Sequence, residues 1–140
     1  MCLSRVTRPI KIPECKARIG YKIFIKYVVD NECRYQSVFV LNLLTYYTIK
    51  HARKARPYRI CYTIINDKQK FYLSGFHVWV SKAVAISEAA IMMERYNNTS
   101  LVVCKIKYWG NVIRGKNRYL DLEERNCNVA EYMEILEEVT

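Results

Sequence analysis

The sequence predicts a single α+β domain over residues 1–140, in which one main helix, at about 82–96, packs on a mostly antiparallel, twisted sheet. Three observations predict this class. Most segments are short runs of aromatic and β-branched residues that end at polar or glycine-bearing turns. The chain contains 12 tyrosines, a residue that favours strands. One segment combines strong helix formers with a capping residue, and it lies between predicted strands.

The N-terminal part of the chain predicts an arm followed by strands. Residues 1–19 are basic and contain two prolines, which predicts an irregular arm. The β-rich run 20–29 predicts the first strand, and the polar residues 30–32 predict a turn at its end. The run 35–49 fits either a strand or a buried helix, and the aromatic and β-branched residues of its first half favour a strand.

Two further strands are predicted in the middle of the chain, over 58–65 and 76–80, and the short run 71–73 leads into Ser74-Gly75 between them. Ser81 then provides a favourable N-cap, because its hydroxyl can accept a hydrogen bond from a backbone N–H group of the first helical turn. The alanine-rich run 82–96 that follows predicts the helix, since its residues lose little side-chain freedom in a helical backbone.

The C-terminal part predicts an interrupted strand. Successive residues of the run 101–109 alternate between two faces, so Tyr108 and Trp109 point in opposite directions. A glycine turn or bulge follows, and a second, cationic glycine turn is predicted over 115–118. The segment 129–139 combines helix formers with strand-like alternation, so its residues alone leave the choice open.

The positive charge of the chain is unevenly distributed. Residues 1–60 hold 13 lysines and arginines against 3 acidic residues, and residues 61–120 hold 9 against 3, whereas residues 121–140 hold 1 against 7. The net charge of +10 is therefore the difference between a strongly basic body and an acidic C-terminal segment. A basic body of this kind attracts the phosphates of nucleotides or nucleic acid and accelerates encounter with them.

The densest group of cations predicts a generic phosphate-binding surface. It lies in the basic insertion 35–59 and is called the basic patch below: Lys50, Arg53, Lys54, Arg56 and Arg59. Cation runs of this kind bind phosphate backbones without sequence specificity, but a solvated charged face has the same composition. The acidic segment 121–140 could pair with the basic patch, within one chain or across a dimer.

Several classes of site are not indicated. The six cysteines are scattered, without a CxxC pair or a short Cys/His spacing, which predicts free thiols and no metal site. The sequence has no Walker loop and no GxGxxG, GxSxG or HExxH motif, which predicts a non-catalytic protein without a cofactor. The N-terminus lacks the apolar core of a secretory signal, and no apolar run approaches the roughly 20 residues of a membrane span, which predicts a cytoplasmic protein.

His77 and Trp79 form the first candidate ligand-binding pair. Both lie on one side of the strand predicted over 76–80, and one face of that strand is expected to point away from the core. Gly75, which precedes the strand, allows a ligand or another backbone to approach closely. A histidine beside a tryptophan can stack on a base and hydrogen-bond a phosphate. The alternative is a histidine that is hydrogen-bonded beneath the neighbouring helix.

The second candidate group is the predicted cationic turn together with the tryptophan that precedes it: Trp109, Arg114, Lys116, Asn117 and Arg118. Guanidinium groups donate forked hydrogen bonds to phosphates, and a tryptophan offers a flat surface for stacking. The alternative is a set of solvated charges on a turn. Of the cationic surfaces, this one is the better suited to a discrete ligand.

Several blocks of the sequence resemble a family of small phage and prophage proteins. These blocks are Met1–Thr7, Gly20–Phe24, Ser74–Trp79 with Ser81 and the alanine-rich helix, Val102–Gly115, and Val129–Leu136. In that family the last block is strand-like, so the resemblance favours a strand for 129–139. The long segment 35–59 is where this chain departs most from the family.

The resemblance implies a phage setting, and hence a role in overcoming host defence. By analogy of class with the sponges that counter Thoeris defence, we expect a homo-oligomer that sequesters a phosphate-bearing nucleotide signal without catalysis. The alternative is a nucleic-acid-binding or protein-binding inhibitor of a host nucleoprotein defence system, such as an anti-CRISPR. A third resemblance, to the ADP-ribosyltransferase core, rests on 75–77 and Glu131-Tyr132, but the chain has no match to that fold's first nicotinamide-site histidine or tyrosine.

Overall fold

The computed structural model of the chain describes residue 3 and residues 5–38, 46–55, 59–65, 68–97, 100–117 and 125–140. Within these ranges the strands are β1 (Arg5–Val6), β2 (Ile10–Ile12), β3 (Arg18–Val29), β4 (Glu32–Ser37), β5 (Arg53–Lys54), β6 (Arg59–Ile65), β7 (Lys68–Leu73), β8 (Phe76–Trp79), β9 (Leu101–Asn117) and β10 (Arg125–Glu138). A 3-10 turn spans Glu14–Lys16, and the helix α1 spans Lys82–Tyr96. The predicted α+β class, with a mostly antiparallel sheet and one helix packed on it, is confirmed.

β9 is the central strand of a sheet that closes on itself. One edge of β9 pairs with β10, and the other edge pairs with β3, β2 and β1 in turn. β10 also pairs with β8, and β8 meets β3 at Tyr21 and Trp79. The path from β9 through β10, β8 and β3 therefore leads back to β9, and these four antiparallel strands form a partly closed barrel with an inner and an outer face.

The inner face of the barrel carries one of two apolar cores. Its buried side chains come from all four strands and include Phe24, Phe76, Val78, Ile106, Tyr108, Val112, Ala130, Met133 and Ile135. Gly20 lies on the same face, where β3 approaches β8 and β9. A Cβ atom at Gly20 would overlap Val78 Cγ1 and would lie 3.0 Å from Tyr108 Cε1, so glycine leaves the space that these two side chains occupy.

Helix α1 covers part of the outer face. Its predicted cap is confirmed, because the Ser81 hydroxyl accepts a hydrogen bond from the Val84 N–H at 3.4 Å, and the helix ends at Asn97 in the left-handed conformation. The helix packs against a second apolar core that includes Trp79 and Val103. Its contribution to that core is a stripe of small and flexible side chains, Ala85, Ala89 and Met92.

The N-terminal residues form short strands instead of the predicted irregular arm. Val6 lies opposite Gly115 in the pairing of β1 with β9, and Ile12 lies opposite Gly110 in the pairing of β2 with β9. The cause is the length of β9, which extends beyond the end of β3 and leaves backbone groups that need hydrogen-bond partners. The first strand accordingly begins at Arg18, earlier than the predicted residue 20.

The second glycine turn, predicted over 115–118, is not formed. β9 continues through Gly115 to Asn117, which lies opposite Arg125 of β10, so the ladder satisfies the backbone groups that a turn would otherwise have bonded. The first glycine site is a bulge, as the sequence allowed: the register shifts between Ala130 and Tyr132, and Gly110 opposite them has a φ of 84°. The segment 129–138 is strand, as the resemblance implied.

Two segments complete the described fold. β6 and β7 form a separate two-stranded sheet, and Tyr72 of β7 attaches it to the body because its hydroxyl accepts the Leu3 N–H at 3.0 Å. The first half of the run 35–49 is in part strand, since β4 ends at Ser37, and residues 39–45 lie outside the described residues. Helix α1, the helix of the described ranges, is not long and apolar enough to cross a bilayer.

Candidate functional site

A cavity of about 830 Å³ opens at one end of the barrel, where the inner faces of the strands change from apolar to polar. We call it the mouth cavity. Its lining comes from the N-terminal segment, β3, the end of β8, β9 and β10: Val6, Thr7, Arg18, Ile19, Val80, Tyr108, Arg114, Gly115, Lys116, Asn126 and Asn128. Open ends of small barrels are a common position for ligand sites.

The rim of the mouth cavity is cationic. Arg114 and Lys116 are two residues apart on β9, so both side chains leave the strand on one face, and Arg18 of β3 lines the same cavity. All three residues are exposed. Among the described residues that line the mouth cavity, none carries a carboxylate.

The floor of the mouth cavity is neutral and polar. The Asn128 Nδ2 group donates a hydrogen bond of 3.0 Å to the Tyr108 hydroxyl, and both side chains are almost completely buried, at 6% and 2% exposure. Asn128 and Asn126 lie opposite Arg114 and Lys116 across the β9–β10 ladder. The floor and the cationic rim are therefore built on two neighbouring strands whose register fixes the distance between them.

The N-terminal segment forms one wall of the mouth cavity. Thr7 is held against β9 because both its backbone N–H and its hydroxyl donate to the Arg114 carbonyl oxygen, at 2.8 and 2.9 Å. Val6 adds an apolar side chain to this wall, and Ile19 and Val80 add two that are nearly half exposed. The cavity thus combines charged, neutral polar and apolar surfaces.

A second cavity, of about 750 Å³, contains Trp109 and is called the outer cavity. The Trp109 ring stacks on Tyr132, with ring centroids 5.6 Å apart and an interplanar angle of 7°. Three cations and two carboxylates share the lining: Lys11, Arg53, Lys54, Glu14 and Glu131. The outer cavity is consequently less positive than the mouth cavity.

The bulge at Gly110 shapes the outer cavity. The Glu131 Oε1 atom accepts a hydrogen bond from the Asn111 N–H at 3.2 Å, and a Cβ atom at Gly110 would lie 2.6 Å from that oxygen. Glu131 and Tyr132 are consecutive, yet both line this cavity, because the bulge interrupts the alternation of β10.

His77 and Trp79 do not face a ligand cavity. Both are buried, and all four residues of β8 are buried on both faces, so the expectation of an exposed face on this strand is wrong. The reason is that helix α1 and the β6–β7 hairpin cover the outer side of β8, where His77 Nε2 lies 3.5 Å from the Tyr72 hydroxyl. This arrangement matches the alternative of a histidine beneath covering elements. The backbone approach that Gly75 allows is made by Ala130 of β10.

Burial determines the protonation of this part of the core. Desolvation, with the charge of Lys22 as a second cause, lowers the pKa of His77 to about 3. Lys22 is itself buried, and its Nζ donates to the His77 carbonyl oxygen at 3.1 Å. Desolvation lowers the pKa of Lys22 to about 8. His77 is therefore a neutral core side chain near pH 7.

The predicted group around the tryptophan is divided between the two cavities. Arg114 and Lys116 line the mouth cavity, whereas Trp109 lines the outer cavity. Tyr108 points into the mouth cavity, and its neighbour Trp109 points the opposite way, because β9 is a strand and not a turn at this point. Arg118 and the side chain of Asn117 lie outside the described residues.

The basic patch is only partly described. Lys50, Arg53 and Lys54 are exposed, while Arg56 and the side chain of Arg59 lie outside the described residues. The basic patch and the acidic segment pair within the chain through their backbones, since Arg53 and Lys54 of β5 lie opposite Met133 and Tyr132 of β10, but no ion pair joins the described residues of the two segments. The acidic residues pair instead with lysines of β3 and β9, because β10 lies beside β9 in the sheet: Glu138 with Lys26 at 2.8 Å, Glu134 with Lys107 at 3.5 Å and Glu137 with Lys105 at 3.9 Å.

Of the residues that line the mouth cavity, only Arg114 and Lys116 were predicted, and those missed include Arg18, Tyr108, Asn126 and Asn128. Two of them carried a usable signal. Asn126 and Asn128 are two residues apart and precede an apolar strand, so they share one face, as do Arg114 and Lys116. Their pairing required the β9–β10 register, which the sequence does not contain.

The residues that carry the ADP-ribosyltransferase resemblance do not come together in one site in this fold. Glu131 and Tyr132 line the outer cavity, while His77 is buried and does not line it. Within the described ranges, no three His, Cys, Asp or Glu side chains are close enough together to hold a metal ion. The side chains of Cys15, Cys33, Cys104 and Cys127 are free thiols.

Comparisons with protein-family models, with curated proteins and with solved structures find no match to this chain. The interpretation of the site therefore depends on its geometry and charge.

Proposed function

We propose that this protein binds and sequesters a phosphate-bearing nucleotide in the mouth cavity without catalysing a reaction on it. The observation that carries the proposal is the charge of that cavity. Arg18, Arg114 and Lys116 surround it, and no described residue of its lining carries a carboxylate. Cations around a concave site attract phosphates and hold them with charge-assisted hydrogen bonds.

The size and composition of the mouth cavity support the same ligand class. Its volume of about 830 Å³ lies within the usual range of small-molecule sites. Two arginines can hold phosphate oxygens through paired N–H donors, and the apolar side chains of Ile19 and Val80 can contact the uncharged part of a nucleotide. A free inorganic anion would leave this apolar surface in contact with water.

The proposal of sequestration follows from the kinds of residue in the lining. None of the described lining residues is a histidine, a cysteine or a carboxylate, the groups that most often supply general bases and nucleophiles. The phage setting implied by the sequence blocks would give such binding a role in removing a host immune signal. We also propose that the protein forms a homo-oligomer. Light scattering coupled to gel filtration measures its oligomeric state.

The test is calorimetric titration of the purified chain with ATP, ADP, NAD and cyclic dinucleotides at physiological salt. We expect saturable binding of at least one of these compounds. After heating, chromatography and mass measurement should recover the bound compound unchanged. Absence of binding by every phosphate compound would remove the proposal, and recovery of a converted product would remove its non-catalytic part.

Single-charge variants locate the bound phosphates. Arg18→Gln and Arg114→Gln should each weaken binding by roughly 10- to 100-fold, as expected for the loss of one charged hydrogen-bond donor. Arg95→Gln is the matched control, because it removes the same charge from an exposed position at the end of α1, outside the mouth cavity. Equal losses in all three variants would indicate a general charge effect and no defined site.

A second candidate function is nucleic-acid binding at the outer cavity. It is favoured by three cations beside the stacked rings of Trp109 and Tyr132, which is a composition suited to single strands. The carboxylates of Glu14 and Glu131 in the same lining weaken that composition. Titration with single-stranded and duplex DNA at several salt concentrations tests it: this function requires an affinity that falls steeply with salt and that the Lys54→Gln variant weakens.

A further inference from the structure

The floor of the mouth cavity has hydrogen-bonding groups that phosphate cannot satisfy. The bond from Asn128 Nδ2 to the Tyr108 hydroxyl uses a lone pair of that hydroxyl and leaves its proton available. Neither this proton nor Asn128 Oδ1 has a hydrogen-bond partner among the described residues. The floor therefore offers the tyrosine O–H donor and the asparagine Oδ1 acceptor side by side, and each comes from a side chain that is at least nine-tenths buried.

A phosphate dianion offers acceptors only. It can accept a hydrogen bond from the Tyr108 hydroxyl, but it cannot donate one to Asn128 Oδ1. The positive rim at Arg18 and Arg114 is also a far better place for its charge than a neutral, buried floor. The group that complements the floor must be uncharged and must carry a donor next to an acceptor. The edge of adenine has this pattern, with an exocyclic amino group beside a ring nitrogen.

The surroundings of the floor favour a flat base over a sugar. Val6, Ile19 and Val80 place aliphatic side chains in the same cavity, and such groups pack well against the faces of an aromatic base. A ribose would present hydroxyl groups to this wall and leave part of their hydrogen bonding unsatisfied. The phosphates of the same ligand then lie at the cationic rim.

We propose that Asn128 and Tyr108 read the edge of adenine in a bound nucleotide, with the asparagine Oδ1 accepting from the amino group and the tyrosine hydroxyl donating to the adjacent ring nitrogen. This inference rests on the proposed function, which supplies the phosphate contacts. An asparagine amide alone reads adenine with the same acceptor and donor pattern. Here the tyrosine hydroxyl takes the place of the amide donor, because Asn128 Nδ2 is bonded to it.

Three probes distinguish this inference from the proposed function: ADP, inosine diphosphate and inorganic pyrophosphate. Calorimetry of the full chain should give an affinity for ADP at least tenfold higher than that for inosine diphosphate or pyrophosphate. At the edge formed by N7 and the exocyclic group, inosine diphosphate carries a carbonyl in place of the amino group, so this edge has two acceptors and no donor for Asn128 Oδ1. If pyrophosphate or inosine diphosphate binds as tightly as ADP, the base contact is refuted while phosphate binding stands. If none of the phosphate probes binds, the proposed function fails as well.

Tyr108→Phe tests the floor directly, because it removes one hydroxyl and keeps the ring that packs beside Gly20. The variant should lose about tenfold in ADP affinity and retain its pyrophosphate affinity. Arg114→Gln is the matched rim variant and should weaken both probes. Unchanged ADP binding in Tyr108→Phe contradicts the inference. If this variant does not fold, which loss of pyrophosphate binding and of its circular dichroism would reveal, the comparison of ADP with inosine diphosphate on the unaltered chain still decides.

Discussion

Asn128 lies directly opposite Arg114 on the neighbouring strands β10 and β9. Two residues further into the barrel, the corresponding pair is Ala130 and Val112, both buried in the inner core. The inner face thus changes from apolar to polar over a single step of the alternation, and that change marks the boundary between the core and the mouth cavity. A charged residue at this boundary remains hydrated while the side chains below it are dry.

Gly20 controls how closely the strands of the barrel approach, which leads to the first prediction. Gly20→Ala should lower the free energy of unfolding by about 1–3 kcal/mol, because the new methyl group overlaps Val78 Cγ1 and forces the strands apart. Urea denaturation measures the change. The Gly20→Ala/Val78→Ala double variant should lose less stability than the sum of the two single changes, since the smaller side chain relieves the overlap. Simple additivity would contradict the predicted contact.

The pH dependence of stability should reflect the neutral, buried His77. Its pKa is about 3 in the fold and 6.5 in an unfolded chain, so the unfolded state binds more protons between these values. Stability is then lost as the pH falls from about 6.5 towards 3, by up to ~1.4 kcal/mol per pH unit for this one proton. His77→Gln should flatten the slope in urea midpoints measured from pH 7 to pH 4. His51→Gln is the control, because His51 is exposed, and it should retain the original slope.

Lys22 makes a prediction for alkaline pH. Burial lowers its pKa from 10.5 to about 8, so the unfolded chain binds more protons between pH 8 and 10.5, and this residue raises stability as the pH increases through that range. Two buried thiols act in the opposite sense above pH 9, because desolvation raises the pKa of Cys104 and Cys127 to about 12. The quantity to measure is therefore the difference in the free energy of unfolding between the unaltered chain and Lys22→Met. This difference should increase from pH 7.5 to pH 10, and a constant difference would refute the lowered pKa.

Local sequence signals predicted the elements whose stability is local. Helix α1 was correctly placed because Ser81 caps it and alanines fill it, and both effects act within a few residues. The strand over 76–79 was found from its composition, and the bulge at Gly110 from a glycine within a strand pattern. None of these required knowledge of a distant partner.

The features that were missed depend on pairings between distant segments. Closure of the barrel buries the inner face of β8, and helix α1 with the β6–β7 hairpin covers its outer face, so alternation could not show that His77 and Trp79 are enclosed. The partner β10 kept Gly115 in a strand where its local sequence favoured a turn. The candidate site was therefore half predicted: Arg114 and Lys116 line the mouth cavity, but their floor comes from Tyr108 and Asn128 through the register of the sheet.

Trp109 provides the sharpest test of the division between the two cavities. Its ring is buried against Tyr132 in the outer cavity, so Trp109→Phe should cost about 1–2 kcal/mol of stability, less than the roughly 3–5 kcal/mol of a tryptophan-to-alanine change. Nucleotide affinity should stay within twofold, because the residue points away from Arg114 and Tyr108. Urea denaturation and calorimetry on the same preparation measure both quantities. A tenfold loss of nucleotide affinity in a folded Trp109→Phe variant would place the ligand in the outer cavity, and a comparable loss for single-stranded DNA would favour the nucleic-acid function there.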